Sequence, residues 1–140
     1  MEPNQERLLK EARSLKGTPY KYAVKQEEIP KFLDCSFFTK HIYKLIGFDL
    51  ERRTILQAAQ GKEVPSLKEA QIGDLLFFRG TKGHYNDELF PGLQICIGHV
   101  ALFISNNKAI HAASGKGVVE EDIAEIVKSR FPIVMIKRIL

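Results

Sequence analysis

The chain has 140 residues, 44% of them hydrophobic, so it can bury a core, and we predict one domain over residues 1–140. The hydrophobic content also argues against disorder. The 21 Lys and Arg, against 17 Asp and Glu, are scattered from Arg7 to Arg138 without a basic cluster, which argues against a nucleic-acid partner. Two cysteines, Cys35 and Cys96, are too few for a disulfide scaffold or a zinc cluster, and we expect neither a metal nor a cofactor.

The N-terminal segment shows no targeting signal. Residues 1–16 are charged throughout and lack the apolar centre of a signal peptide. No apolar run of the chain reaches the length of a membrane span. We therefore expect a cytoplasmic protein with no membrane span, and a removed signal or a shortened sequence stays an alternative.

The first half of the chain has the pattern of helices that end at glycines. Asp34 is a favourable N-cap, because its carboxylate can accept hydrogen bonds from the first N–H groups of a following helix. We predict helices at residues 3–16, 35–46 and 54–60, and a loop at residues 20–30.

The second half of the chain changes to the short apolar runs that are typical of strands. We predict strands at residues 74–78, 98–104, 108–113 and 133–139, a weaker strand at 117–120 and a helical turn at 122–128. Helices followed by strands indicate an α+β domain with an antiparallel sheet. Residues 80–98 are rich in glycine and polar side chains, and we predict a long surface loop there.

Cys35 is the first residue of a predicted helix. The unsatisfied N–H groups of a helix start favour a thiolate, which is the reactive form of cysteine. Cys35 shares one helix face with Phe38, Ile42 and Leu45, and this face must pack on the sheet. The alternative is a small buried cysteine that acts as a hydrophobic side chain.

Two histidines lie on neighbouring predicted strands. His99 begins one apolar strand and His111 lies inside the next, and the alternative to a shared site is two buried histidines satisfied by hydrogen bonds. A two-residue hairpin loop at residues 106–107 would place them on opposite sheet faces, whereas a three-residue loop at 105–107 would place them on one face. We predict the three-residue loop, because Asn107 tolerates the left-handed conformation that its last position requires.

Five short motifs, in chain order, resemble those of the NlpC-type peptidases, a papain-like family that acts on bacterial peptidoglycan peptides. They are Gly17-Thr18-Pro19-Tyr20, Asp34-Cys35-Ser36, Gly73-Asp74-Leu75-Leu76-Phe77-Phe78, Gly98-His99-Val100 and Ile110-His111-Ala112. The resemblance implies a papain-like α+β domain. In such a domain, N-terminal helices place the catalytic cysteine at a helix start, packed on an antiparallel sheet that carries the catalytic histidines.

The resemblance also implies catalytic roles. Cys35 would attack a peptide carbonyl and form an acyl-enzyme, and His99 would accept the thiol proton and pass it to the leaving amine. His111 would hold the imidazole of His99 in the useful tautomer.

Three further residues match substrate-binding positions of the family. Tyr20 matches a tyrosine that lines the site, and Asp34 and Ser36 match residues that hold a free amine in members that cut short stem peptides. The alternatives are a half-buried packing aromatic for Tyr20, and an N-cap with a first-turn residue for Asp34 and Ser36. Phe37 stands where the family usually has glycine, and this departure bears on the fit of the substrate.

The resemblance predicts a cysteine endopeptidase of peptidoglycan stem peptides, acting near a D-glutamyl link to a diamino acid. A papain-like amidase or acyltransferase on another acyl or lipid substrate is the alternative, because it would use the same Cys–His machinery. A non-catalytic binding module is disfavoured, since all three catalytic positions are filled. The expected partner is a peptidoglycan-derived peptide, and protein partners are left open.

Overall fold

The computed structural model describes residues 1–80, 89–93, 96–105, 107–129 and 132–140. Helices precede strands, which confirms the predicted α+β class. The helices are α1 (Pro3–Ser14), α2 (Cys35–Leu45), α3 (Thr54–Gln57) and α4 (Ile123–Ser129), with 3₁₀ turns at Gln26–Glu28 and Leu67–Glu69. The strands are β1 (Lys62–Glu63), β2 (Leu75–Arg79), β3 (Ile97–Ser105), β4 (Lys108–Ala113), β5 (Gly117–Asp122) and β6 (Ile133–Arg138).

The described strands form one antiparallel sheet in the order β1-β6-β2-β3-β4-β5. Every strand predicted from the sequence is present within one or two residues. The prediction missed β1, because two residues are too few to show an alternating pattern. Much of the predicted 80–98 loop lies outside the described residues, and β3 begins one residue before the predicted start.

Apolar side chains cover both faces of the sheet. On one face, residues from β2, β3 and β4 pack with α1, α2 and α3, and Phe38 and Ile42 of α2 are fully buried there. On the other face, Ile123 and Ile126 of α4 pack on a second cluster. The apolar stripe of α2 is shorter than predicted, since Leu45 is 39% exposed. The buried stripe nevertheless fixes the start of α2, and therefore Cys35, relative to the sheet.

A buried ion pair joins β2 to β6. Both oxygens of Asp74 accept hydrogen bonds from Arg138, each at 2.9 Å, and one of them also accepts from the backbone N–H of Gln71 at 2.8 Å. Asp74, directly before β2, therefore has a structural role: it ties the beginning of a central strand to the C-terminal strand. Among the described residues, no helix is long and apolar enough to cross a membrane.

Candidate active site

Cys35 lies at the start of α2, where the predicted N-cap is present. One oxygen of Asp34 accepts a hydrogen bond from the backbone N–H of Phe37 at 2.8 Å. The thiol of Cys35 is partly exposed, and its Sγ lies 3.8 Å from Oγ1 of Thr54. Cys35 lines an open cleft of about 430 Å³, whose walls include Tyr20, Asp34, Ser36, Arg52, Arg53 and Gly98. The helix start thus presents a cysteine to a space that a peptide can enter.

The two histidines form a buried pair. Nε2 of His99 lies 2.7 Å from Nδ1 of His111, and both side chains are nearly inaccessible, with 3% and 2% exposure. The strand that carries His99 reaches the cleft, because the preceding residue, Gly98, lines it together with Cys35. Cys35 of α2 and Gly98, the neighbour of His99 on β3, therefore border the same cleft, and the histidine pair connects β3 to β4.

The register of β3 and β4 places both histidines on one face, as predicted. Leu102 pairs with Ile110, so each histidine side chain has the same orientation relative to the sheet. The tip of the hairpin differs from the prediction. Asn107 has the expected positive φ of 67°. However, Ser105 pairs with Lys108 and is not part of the loop, and the register of the two strands shifts between Phe103 and Ser105. A bulge in β3 therefore supplies the extra residue that we expected in the loop, of which position 106 lies outside the described residues.

Glu121 extends the histidine pair, and sequence analysis missed it. Nε2 of His111 lies 2.8 Å from one oxygen of Glu121, and Lys116 donates to the other oxygen at 2.9 Å. Burial raises the pKa of Glu121, but the hydrogen bonds and charges of His111 and Lys116 outweigh burial and hold its pKa below the ordinary value. The side chain is therefore an ionised carboxylate at neutral pH.

The signal for Glu121 was present in the pattern of the hairpin between β4 and β5. His111 pairs with Val119, and Glu121 lies two residues further along β5, on the same face and diagonally across from His111. Diagonal neighbours reach one another when one side chain is long. Identifying this contact required the register of a second hairpin, which we did not work out from the sequence.

The order Glu121, His111, His99 determines which ring nitrogens carry protons. An ionised carboxylate only accepts hydrogen bonds, so Nε2 of His111 donates to Glu121. In a neutral His111, Nδ1 then accepts, and Nε2 of His99 donates to it. His99 is thereby held in the tautomer whose Nδ1 accepts a proton, which is the form that a general base needs.

The predicted substrate-binding residues lie on the other wall of the cleft. The backbone of Tyr20 pairs with that of Leu33, next to the N-cap. Asp34 forms an ion pair with Arg52, and the same guanidinium donates to Oγ of Ser36 at 2.8 Å. Tyr20, Asp34 and Ser36 thus come together around the cleft of Cys35, while their contacts with a substrate stay predictions.

Comparison with known proteins gives consistent matches. A model described as the NlpC/P60 family matches residues 17–134. The chain is 32% identical over 97 residues to the murein DD-endopeptidase MepS/murein LD-carboxypeptidase of Escherichia coli (strain K12), covering 68% of this chain and 44% of that protein. It is 35% identical over 86 residues to the gamma-D-glutamyl-L-lysine dipeptidyl-peptidase of Bacillus subtilis (strain 168), covering 61% of this chain and 25% of that protein.

A solved structure matches the whole domain. The NlpC/p60 domain of the peptidoglycan hydrolase SagA is 26% identical, with a TM-score of 0.73, over 96% of this chain and 97% of that one. The chain spans less than half the length of both curated relatives. The similarity is therefore that of one domain.

Proposed function

The chain belongs to the NlpC/P60 family, and from this premise we propose that it is a cysteine endopeptidase of peptidoglycan stem peptides. Both curated relatives are named as peptidases, and the name of the Escherichia coli relative supports murein as the source of the substrate. The Bacillus subtilis relative is named for a γ-D-glutamyl bond to a diamino acid. We therefore propose that the bond cut here is also a D-glutamyl link to a diamino acid.

The proposed reaction begins at Cys35. Nδ1 of His99 accepts the thiol proton, and the sulfur forms a bond to the carbonyl carbon of the substrate. The tetrahedral intermediate collapses, the C–N bond breaks, and the leaving amine takes the proton from His99. A water molecule then gives a proton to His99 and attacks the thioester, which releases the acid and restores the thiol. His111 keeps His99 in the required tautomer throughout.

The start of α2 contributes to the proposed mechanism in a second way. The backbone N–H of Cys35 lies at the start of the helix, where the N–H groups carry a partial positive charge, and we propose it as a donor to the developing oxyanion. We propose the hydroxyl of Tyr20 as a second donor or a contact with the substrate. Asp34 and Ser36 would shape the wall of the cleft on the acyl side.

The observation that supports this proposal most directly is the buried chain of hydrogen bonds from Glu121 through His111 to His99. Two short hydrogen bonds in series, largely shielded from solvent, are typical of a network that holds a general base in one tautomer. Two imidazoles that served packing alone would not need an ionised carboxylate behind them. This series of hydrogen bonds also ends at His99, on the strand whose first residues line the cleft of Cys35.

The test is digestion of purified muropeptides, with the products identified by mass spectrometry. We expect a product with a new free amine on the diamino acid and no product with Cys35→Ala. Cys96→Ala is the matched control, because Cys96 is a buried cysteine whose thiol donates to the carbonyl of Gly80. Unchanged muropeptides, or equal cleavage by Cys35→Ala, would refute the proposal.

A further inference from the structure

The carboxylate of Asp34 has little capacity left for a substrate amine. Its Oδ1 accepts from the N–H of Phe37 at 2.8 Å, from Nη1 of Arg52 at 3.2 Å and from Oγ of Ser36 at 3.4 Å. Its Oδ2 accepts from Nη2 of Arg52 at 2.6 Å and from the N–H of Val24 at 3.2 Å. A carboxylate has about four lone-pair positions, and five donors already approach this one.

Arg52 is held firmly in this place. Besides Asp34, it donates to Oγ of Ser36 at 2.8 Å and to the carbonyl of Val24 at 3.0 Å. Its guanidinium lies over the ring of Phe37, 4.4 Å from the ring centre. Bidentate pairing, further hydrogen bonds and stacking together make this arginine costly to displace. An ammonium group that approached Asp34 would have to replace all of these contacts.

The remaining charge in the cleft is positive. The cleft is lined by Arg52, Arg53 and one carboxylate, that of Asp34, among the charged residues that the structure describes. Asp34 is paired with Arg52, and Arg53 forms no ion pair with any residue in the described ranges. The side chain of Arg53 is exposed. A cleft with one unpaired guanidinium attracts an anionic group and repels an ammonium.

This inference rests on the proposed function. We infer that the part of the cleft wall formed by Asp34, Arg52 and Arg53 excludes a free amine and binds a carboxylate on the acyl half of the substrate. Arg53 supplies the contact to that carboxylate. Asp34 and Ser36 act through Arg52, which they hold against the wall of the cleft. The substrate class is therefore an acidic acyl-peptide whose N-terminus is blocked or absent near the scissile bond.

Three synthetic peptides test this inference. They share one scissile bond and differ only at the N-terminus, which is a free amine, an acetyl group or a succinyl group that carries a carboxylate. Calorimetry with Cys35→Ala measures binding without cleavage. We expect the succinyl peptide to bind at least about threefold more tightly than the acetyl peptide, and the amine peptide to bind most weakly. Tightest binding of the amine peptide, equal binding of all three, or no binding would overturn the inference.

Two variants, combined with Cys35→Ala, connect the ranking to the arginines. In Arg53→Gln, the dissociation constants of the succinyl and acetyl peptides should differ by no more than about twofold. Arg7 is an exposed arginine of α1, and Arg7→Gln should leave the difference in affinity unchanged. Arg52→Gln should free acceptor positions on Asp34, so the affinity for the amine peptide should rise by about tenfold relative to that for the acetyl peptide. Thermal melting confirms that each variant folds. Unchanged ratios in both cleft variants would overturn the inference.

Cleavage by the unmodified protein is measured separately on the same peptides. Cleavage with the wrong ranking would refute the inference and leave the proposed function standing. The expected ranking of binding without cleavage of any peptide would refute the proposed function instead.

Discussion

Replacing Glu121 by glutamine tests whether its carboxylate sets the protonation of the two histidines. The substitution keeps the size of the side chain and removes its charge, and an amide can present either its oxygen or its NH₂ group to His111. If the NH₂ group faces His111, both imidazoles change tautomer, and Nδ1 of His99 carries a proton and can no longer accept one. We expect Glu121→Gln to fold and to lose much of its activity.

The size of the loss follows from one charge-assisted hydrogen bond. Nε2 of His111 lies 2.8 Å from Glu121, whose side chain is 18% exposed, so solvent screens the carboxylate only in part. A hydrogen bond to a charged group is worth about 1.5–3 kcal/mol, and we take the lower value because of that exposure. Since about 1.4 kcal/mol corresponds to a factor of ten in rate, kcat/KM should fall by about tenfold or more.

The assay is the pH profile of kcat/KM between about pH 5 and pH 9. The pKa of Glu121 is held below its ordinary value, so this carboxylate stays ionised over that range and is not the group that titrates. Its stabilising contribution is complete above the ordinary glutamate value of 4.5 and is lost only as the pH falls through the lowered pKa. In Glu121→Gln the imidazolium form loses its anionic neighbour and is disfavoured. Because His99 acts as a base only when it is neutral, the acidic limb of the profile should move to lower pH.

Glu120→Gln is the matched control. Glu120 is the adjacent residue, its side chain is also 18% exposed, and it pairs with Arg13 and Lys16 rather than with a histidine. It should lose some stability and keep both the rate and the pH profile. Full activity with an unmoved acidic limb in Glu121→Gln, or the same shift in Glu120→Gln, would refute this reasoning.

Three further outcomes are expected. Iodoacetamide near neutral pH should label Cys35 before Cys96, because Cys35 is partly exposed at a helix start while Cys96 is buried. Equal labelling of the two cysteines in peptide mapping would count against Cys35 as the nucleophile. Gly98→Ala should destabilise the fold by about 1–3 kcal/mol, because a β-carbon there would lie 2.6 Å from a backbone Cα of the neighbouring segment; an unchanged urea midpoint would contradict this. Asp74→Asn should cost about 2 kcal/mol, because it leaves the guanidinium of Arg138 without its anionic partner, and a thermal midpoint equal to that of the unmodified protein would disprove it.

The register of β3 and β4 shows how far periodicity alone could be taken. Side chains alternate along a strand, so the length of the hairpin connection decides whether His99 and His111 share a face. The tolerance of Asn107 for positive φ pointed to the correct register. Where the extra residue lies was not predictable, because a bulge depends on the pairing of two strands and not on the preference of one residue.

The sequence by itself determined the features that arise from local hydrogen bonding and from the period of apolar residues. The N-cap at Asp34, the helix start at Cys35 and the order of helices and strands belong to this class. Each depends on residues within a few positions of one another, and each was predictable for that reason.

Only the tertiary structure decided which charged groups meet at the site. Glu121 lies 10 residues from His111, and Arg52 lies 18 residues from Asp34. Whether such side chains touch depends on strand register, on how the loop after α2 packs and on the direction of long side chains, and no local pattern specifies these. The sequence could therefore indicate a candidate nucleophile and two candidate catalytic histidines. The contact of Glu121 with His111 and the ion pair of Arg52 with Asp34 required the packing of the whole fold.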